Sequence, residues 1–134
     1  MARRLSKTQT SELTIHDHLS DTEIVLSYRM PTTQEREGYA NASVRRTRKG
    51  MKFEVVKARQ EFGLKILTGI REGDFEAEKA DGTFNLLASD PSSPNYREDW
   101  KTLVAELAPD LVQALAGHVF DASAEIIGDE AEGN

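Results

Sequence analysis

Apolar residues at helical spacing near the C-terminal end limit the folds that this chain can adopt. Apolar side chains recur every three or four positions from Tyr96 to Phe120, and Pro109 stands in the middle of the run. Proline cannot donate an amide hydrogen and is favoured in the first turn of a helix, so Pro109 predicts that one helix ends and another begins there. We expect amphipathic helices over residues 94–107 and 109–121, with Ser93 as the first N-cap, to supply much of the core.

Residues 22–30 predict the clearest strand, because Ile24, Leu26, Tyr28 and Met30 alternate with mostly polar neighbours, Val25 excepted. A weaker strand over residues 12–15 would pair with it as a hairpin through the polar link 16–21. An isolated hairpin is only marginally stable in water, so we expect this one to pack on helices.

Two more helices are predicted in the middle of the chain, over residues 33–49 and 52–70. The first follows Pro31, with Thr32 and Glu35 at capping-box spacing and Gly50 as the residue that ends it. The start of the second stays open, because two successive valines also suit a strand. Asp81-Gly82 between short apolar runs predicts a small hairpin.

These elements predict an α+β fold that is mostly α-helical, with a short N-terminal antiparallel β-hairpin packed on helices. The 134 residues fit one domain. We expect a disordered arm over residues 1–11, a single domain over 12–121 and an acidic flexible tail over 122–134.

The composition excludes several classes of site and favours association. Cysteine is absent, so disulfides, thiolate metal ligands and cysteine nucleophiles are excluded. Only 38% of residues are hydrophobic and 30% are charged, so the core is thin and contact with another chain would stabilise it. No apolar run approaches the roughly 20 residues of a membrane helix and no secretory leader is visible, so we expect a cytoplasmic protein without membrane contact.

Charge is distributed unevenly along the chain. Residues 1–65 carry a balance of +5 and residues 66–134 a balance of −11, which together give the net charge of −6. Such polarity favours head-to-tail self-association or a partner of matching polarity, while two ordinarily solvated faces would explain it equally well.

The residues that usually perform catalysis or bind metals form no recognisable site. His16 and His18 flank Asp17 and would share one side of a strand, but the segment is polar and offers no third histidine nearby. The carboxylate pairs lie in charged stretches, and neither a Gly-x-Ser-x-Gly turn nor a phosphate-binding glycine loop occurs. We therefore predict no catalytic residue, no metal and no cofactor.

The basic cluster of residues 45–52 is one candidate contact site, through Arg45, Arg46, Arg48 and Lys49. It could contact phosphates, and such binding would depend strongly on salt. The acidic balance of the chain and the lack of interleaved aromatic residues favour cations at a solvated helix end, or contact with an acidic partner.

Tyr96 and Trp100 form the other candidate. Four residues apart on a helix, they would make a binding hot spot if they were exposed, or part of the core if they faced a neighbouring element.

Two stretches resemble small proteins of bacteriophage tail gene clusters. In residues 24–36, a strand ending in Arg29-Met30-Pro31-Thr32 leads into a helix rich in Glu and Arg, and the run 89–101 is similar to prophage proteins of this length. The resemblance covers roughly a quarter of the chain. It implies a tail assembly chaperone, a non-enzymatic, self-associating protein that coats the apolar, helical tape measure protein before the tail tube polymerises.

Three functions follow as expectations. The first is a tail assembly chaperone that masks the tape measure protein, through the helix faces at residues 52–70 and 94–121. The second is a structural tail or head–tail joining protein that stays in the virion. The third is a nucleic-acid-binding module that uses the basic cluster at 45–52, which we consider the weaker alternative.

Overall fold

A three-stranded antiparallel sheet forms one wall of the core. The structure, a computed structural model, describes residues 2–6 and 8–121. Strand β1 (Thr10–Asp17) pairs with β2 (Thr22–Arg29), which in turn pairs with β5 (Leu67–Ile70), so that β2 is central. Ile24, Leu26 and Tyr28 are buried together on β2, as predicted. The prediction of Met30 on the same face is wrong, because the strand ends at Arg29 and Met30 is 42% exposed.

Four helices and two further hairpins complete the described part of the chain. The helices are α1 (Thr33–Ala42), α2 (Val55–Ile66), α3 (Trp100–Leu107) and α4 (Pro109–Ala116), and a π-helical turn (Gly117–Asp121) follows α4. The hairpins are β3 (Val44–Thr47) with β4 (Gly50–Phe53), and β6 (Glu76–Glu78) with β7 (Phe84–Leu86). The described residues are 36% helical and 30% strand, so the α+β class stands but the prediction of a mostly α-helical protein is wrong.

The helix predicted over residues 33–49 ends at Ala42. Its N-terminus is confirmed, since Thr32 and Glu35 form the reciprocal capping box. At its C-terminus the Ser43 hydroxyl donates to the Tyr39 carbonyl, and β-branched Val44 begins a strand instead. The basic cluster therefore forms a hairpin and is not the end of a helix. Gly50 pairs with Thr47 directly after the turn, and its φ of +126° lies in the region that favours glycine.

The helix predicted over residues 52–70 is also too long at both ends. The helix begins only at Val55, and Leu67 adopts an extended backbone where the chain pairs with β2. Apolar residues at positions 67 and 70 suit both a helix and a buried strand, and pairing with the neighbouring strand decides between them.

The predicted helix start at Ser93 and Pro94 is wrong as well. Tyr96 forms a parallel bridge with Ala88, through hydrogen bonds of Ala88 to Asn95 and of Arg97 to Ala88, and α3 begins only at Trp100. Pro109 at the start of α4 and the Asp81-Gly82 hairpin are confirmed.

The predictions for the two ends of the chain have different outcomes. The first strand begins at Thr10, inside the predicted arm of residues 1–11. The predicted acidic tail at 122–134 lies outside the described residues. Among the described helices, none alone has the length and apolarity to cross a membrane; α3 and residues 109–121 reach them only as a pair bent by 93°.

Buried side chains form two clusters, and α2 contributes to both. The larger cluster joins β2 and β5 to α3 and α4, and α2 enters it with Ile66. The smaller cluster contains Tyr39, Ala58 and Phe62, with Phe120 packed against it. The rings of Tyr39 and Phe120 stack with centroids 4.6 Å apart.

A glycine allows α2 to cross α4 closely. A Cβ atom on Gly63 would lie 2.5 Å from the Val112 carbonyl oxygen and 3.0 Å from a Val112 methyl group. The obstructing atom belongs to the backbone of α4, so a side chain there forces the two helices apart. The space at Gly63 therefore fixes the distance between the two helices.

We expect Gly63→Ala to lower the free energy of unfolding by about 1–3 kcal/mol, because overpacking outweighs the gain in helix propensity. Urea denaturation followed by circular dichroism measures the change. Gly117→Ala is the control, since a Cβ there meets nothing closer than the Arg59 side chain at 3.6 Å. Equal stability of Gly63→Ala and the parent protein would contradict the close crossing.

Candidate protein-binding surfaces

The hairpin β3–β4 is exposed and basic, and it carries two exposed apolar side chains. Every residue of β4 is exposed, with Met51 at 60% and Phe53 at 72%. Arg46, Arg48 and Lys49 of the predicted site are exposed too. The backbone of Arg45 pairs with that of Lys52. The predicted cations therefore lie on one hairpin, together with two large apolar side chains, Met51 and Phe53, that the predicted site does not contain.

The base of this hairpin is fixed between two helices. The amide of Glu54 donates to the Ser43 carbonyl at 2.8 Å, which closes the hairpin where α1 ends and α2 begins. At its tip the Thr47 hydroxyl donates to the Gly50 carbonyl at 3.0 Å. Hydrogen bonds therefore hold the hairpin at both its base and its tip.

Tyr96 and Trp100, the other two predicted contact residues, do not lie on an exposed helix face. Trp100 is 9% exposed and belongs to the larger core cluster, and half-buried Tyr96 packs against that cluster from its loop. They do not share a helix, so the helical pair that we predicted does not form. Their positions favour a role in the core.

A shallow groove of about 570 Å³ runs between α2 and the junction of α3 with α4. Its apolar lining comes from Val56, Leu64, Ala105 and Pro109. Val56 is 61% exposed. We refer to this feature as the helical groove.

Hydrogen bonds across the floor of the helical groove hold its two sides together. The Gln60 amide donates to the Ala105 carbonyl at 3.0 Å, and the Gln113 amide donates to the Gln60 side-chain oxygen at 3.2 Å. The two sides of the groove are therefore already in position in the free protein, so less conformational entropy is lost when a partner binds.

A second groove of about 410 Å³ lies between the hairpin β6–β7 and α3. It is mainly apolar, with Phe84 at 62% exposed and Leu107 at 78% exposed, and it contains the carboxylates Glu76 and Glu78. We refer to it as the acidic groove. The sequence predicts the helices that line the helical groove, at 52–70 and 94–121, but not that they meet in a groove, and it does not predict the acidic groove, because each groove is lined by segments far apart in the chain.

The segment that carries the phage resemblance is tied together by an ion pair. The Arg29 guanidinium donates two hydrogen bonds of 2.7 Å to the two oxygens of Glu35, and a third of 3.2 Å to the Lys65 carbonyl. Arg29 thus connects the end of β2, the start of α1 and the end of α2. The two bonds from Arg29, and further bonds with Thr32, lower the pKa of Glu35 to about 2 against the opposing effect of burial.

A polar cluster anchors the last described residues. The Tyr39 hydroxyl donates to Asp121 at 2.9 Å, and Arg59 donates to the same carboxylate at 2.8 and 3.0 Å. Burial and the neighbouring Asp121 raise the pKa of Tyr39, so it remains a neutral donor. The cluster joins α1, α2 and the π-helical turn, and so it stabilises the packing of these three elements.

His16 and His18 lie close together, as the sequence suggested. The rings of His16 and His18 lie 5.0 Å apart, and His16 Nε2 is 3.2 Å from a carboxylate oxygen of Asp21. Within residues 2–6 and 8–121, no group of three or more potential ligands is arranged to hold a metal ion.

Comparison of the chain with protein-family models, curated proteins and solved structures finds no match.

Replacement of Glu35 by Gln tests the ion pair through its pH dependence. The folded-state pKa lies below the ordinary 4.5, so the carboxylate stabilises the fold above about pH 4.5 and loses that effect as the pH falls toward 2. At pH 7 we expect Glu35→Gln to lower the free energy of unfolding by about 1–2 kcal/mol. Between pH 4.5 and 2 the variant should lose less further stability than the parent.

Denaturation at a series of pH values measures this difference, and Glu37→Gln, on the exposed side of α1, is the control. Parallel stability curves for the parent and Glu35→Gln across the acid range would show that the pair contributes nothing.

Proposed function

We propose that this chain is a non-enzymatic assembly protein that binds an apolar helix of a partner in its helical groove. Most concretely, it would act as a phage tail assembly chaperone in the host cytoplasm and mask the tape measure protein. The observation that carries this proposal is a groove with an apolar lining between helices and with both sides held by hydrogen bonds.

The lining of the helical groove suits a helical partner. Grooves between helices commonly accept the apolar face of an amphipathic helix, whose side chains at i, i+3, i+4 and i+7 anchor it. Val56 and Leu64 lie eight residues apart on α2, while Ala105 and Pro109 face them from the other side. An apolar stripe of two helical turns or more would cover these four residues together.

Charged residues at the rim would set the orientation of the partner. Lys57, Glu61 and Glu106 also line the groove. Exposed ion pairs contribute little affinity, but they discriminate between orientations and partners. Apolar contact would therefore supply affinity, and the rim would supply selectivity.

The resemblance to phage tail proteins connects this mode of binding with a biological partner. The tape measure protein of that family is long, helical and apolar, which is the class of ligand that a helix-lined groove accepts. The resembling segment at residues 24–36 also has a structural task here, because Arg29 and Glu35 fix α1 against the C-terminal end of α2.

Co-expression with a phage tape measure protein tests the proposal. The parent chain should keep that protein in the soluble fraction, and Val56→Asp should reduce its soluble yield at least several-fold, since a buried carboxylate without a partner is strongly disfavoured. Leu19→Asp is the control, because Leu19 is 92% exposed in the turn between β1 and β2 and lies outside both grooves.

Equal insolubility of the tape measure protein with and without the parent chain would contradict the chaperone function. Mass spectrometry of purified virions separates the structural alternative, since a chaperone should be absent from them and a tail or head–tail joining component should be present.

A further inference from the structure

We propose that the basic hairpin β3–β4 of one copy of this chain docks into the acidic groove of a second copy, so that molecules associate head to tail. This interface is separate from the helical groove and does not depend on the identity of the phage partner. Three properties of the two surfaces support it: their charge, their apolar content and their accessibility.

The two surfaces carry opposite charge. The hairpin segment 44–53 contains five basic residues and no acidic one, whereas residues 72–86, which include β6 and β7, contain five acidic residues and a single lysine. Within the acidic groove itself, Glu76 and Glu78 stand beside the apolar lining. Two such surfaces attract each other, whereas two hairpins or two grooves from different copies would repel.

The apolar groups of the two surfaces also correspond. Met51 and Phe53 occupy alternate positions on β4, so they extend from the same face of the ribbon. The acidic groove, at about 410 Å³, falls in the range of volumes that hold an inserted ligand group. Phe84 and Leu107 would cover the inserted aromatic ring, and Glu76 and Glu78 would meet the cations of the hairpin.

Both surfaces are open in the single chain. Phe53 is 72% exposed and Leu107 is 78% exposed, so the chain does not place its own hairpin in its own groove. The hydrogen bond between Glu54 and Ser43 fixes the root of the hairpin. A second copy can therefore reach the groove without competing with an internal contact.

The geometry makes the contact heterologous. Each copy offers one hairpin and one groove at different places, so a bound pair leaves a free hairpin at one end and a free groove at the other. Association should therefore continue beyond the dimer as the concentration rises. A single hairpin buries less than the roughly 800 Å² per partner of a standard interface, so the contact should be weak and reversible.

Analytical ultracentrifugation of complementary variants tests this arrangement. The parent chain should show a weight-average mass that increases with concentration up to about 500 µM, and Phe53→Asp and Phe84→Asp should each weaken association at least ten-fold. An equimolar mixture of the two variants should form a dimer and nothing larger, because each supplies the one surface that the other lacks. Leu5→Asp is the control, since Leu5 is 90% exposed and lies in neither surface.

A charge swap provides a second, independent readout. Arg46→Glu with Arg48→Glu, and Glu76→Lys with Glu78→Lys, should each weaken self-association, and mixing the two double variants should restore it. Salt raised from about 0.1 M to about 1 M shortens the screening length from about 10 Å to about 3 Å and should weaken the parent contact. Circular dichroism confirms that each variant is folded.

Three results would overturn the proposal. The parent chain could stay monomeric at every concentration; the Phe53→Asp and Phe84→Asp mixture could fail to dimerise; or both variants could associate like the parent. A monomeric parent whose hairpin bound duplex DNA, with binding lost in Arg46→Glu/Arg48→Glu, would assign the hairpin to nucleic acid instead. None of these results depends on Val56, so failure here leaves the helical groove untouched.

Discussion

The close crossing of α2 and α4 at Gly63 holds the two parts of the core together. Only a residue without a side chain allows the backbone of α4 to approach at Val112. At this distance α2 can direct Ile66 into the larger cluster beneath the sheet and Phe62 into the smaller cluster with Tyr39. Arg29 then fixes the C-terminal end of α2 to β2 and α1 through Glu35 and the Lys65 carbonyl.

This arrangement accounts for the surfaces that the chain leaves uncovered. The core uses the apolar faces of β2, α2, α3 and α4, while other large apolar side chains remain in solvent on the hairpin and in the two grooves, at Met51, Phe53, Val56, Phe84 and Leu107. Covering such groups with another chain is favourable because it removes apolar area from water. Three uncovered surfaces, two of them oppositely charged, are the observations on which the two proposals rest.

The sequence predicted an element well where local chemistry alone decides its structure. The burial of Ile24, Leu26 and Tyr28 on β2, the capping box at Thr32 and Glu35, Pro109 at the start of α4 and the Asp81-Gly82 turn are all local, and all four are confirmed. The failures occur where pairing with another segment decides. Leu67 and Ile70 fit a helical pattern, but pairing with β2 extends them, and Tyr96 joins Ala88 instead of continuing toward Trp100 as a helix.

The candidate surfaces divide in the same way. The cations of residues 45–52 were visible in the sequence, and Met51 and Phe53 at alternating positions after Gly50 were the pattern that indicates a strand. The helix propensity of the preceding segment concealed it. The helical groove and the acidic groove could not be predicted, because α2 meets α3 and α4, and β6–β7 meets α3, only through tertiary packing.

Hydrogen exchange measured by mass spectrometry distinguishes the ordered body centred on α2 from the uncovered surfaces that it carries. In dilute protein, the amides of β2, α2 and α4 should exchange slowest and those of β4 fast, because β4 packs against no buried layer. At high concentration, protection should increase at β3–β4 and β6–β7 and stay constant at β2. If β4 exchanged as slowly as α2 in the dilute protein, the hairpin would be covered in the single chain and not free to bind.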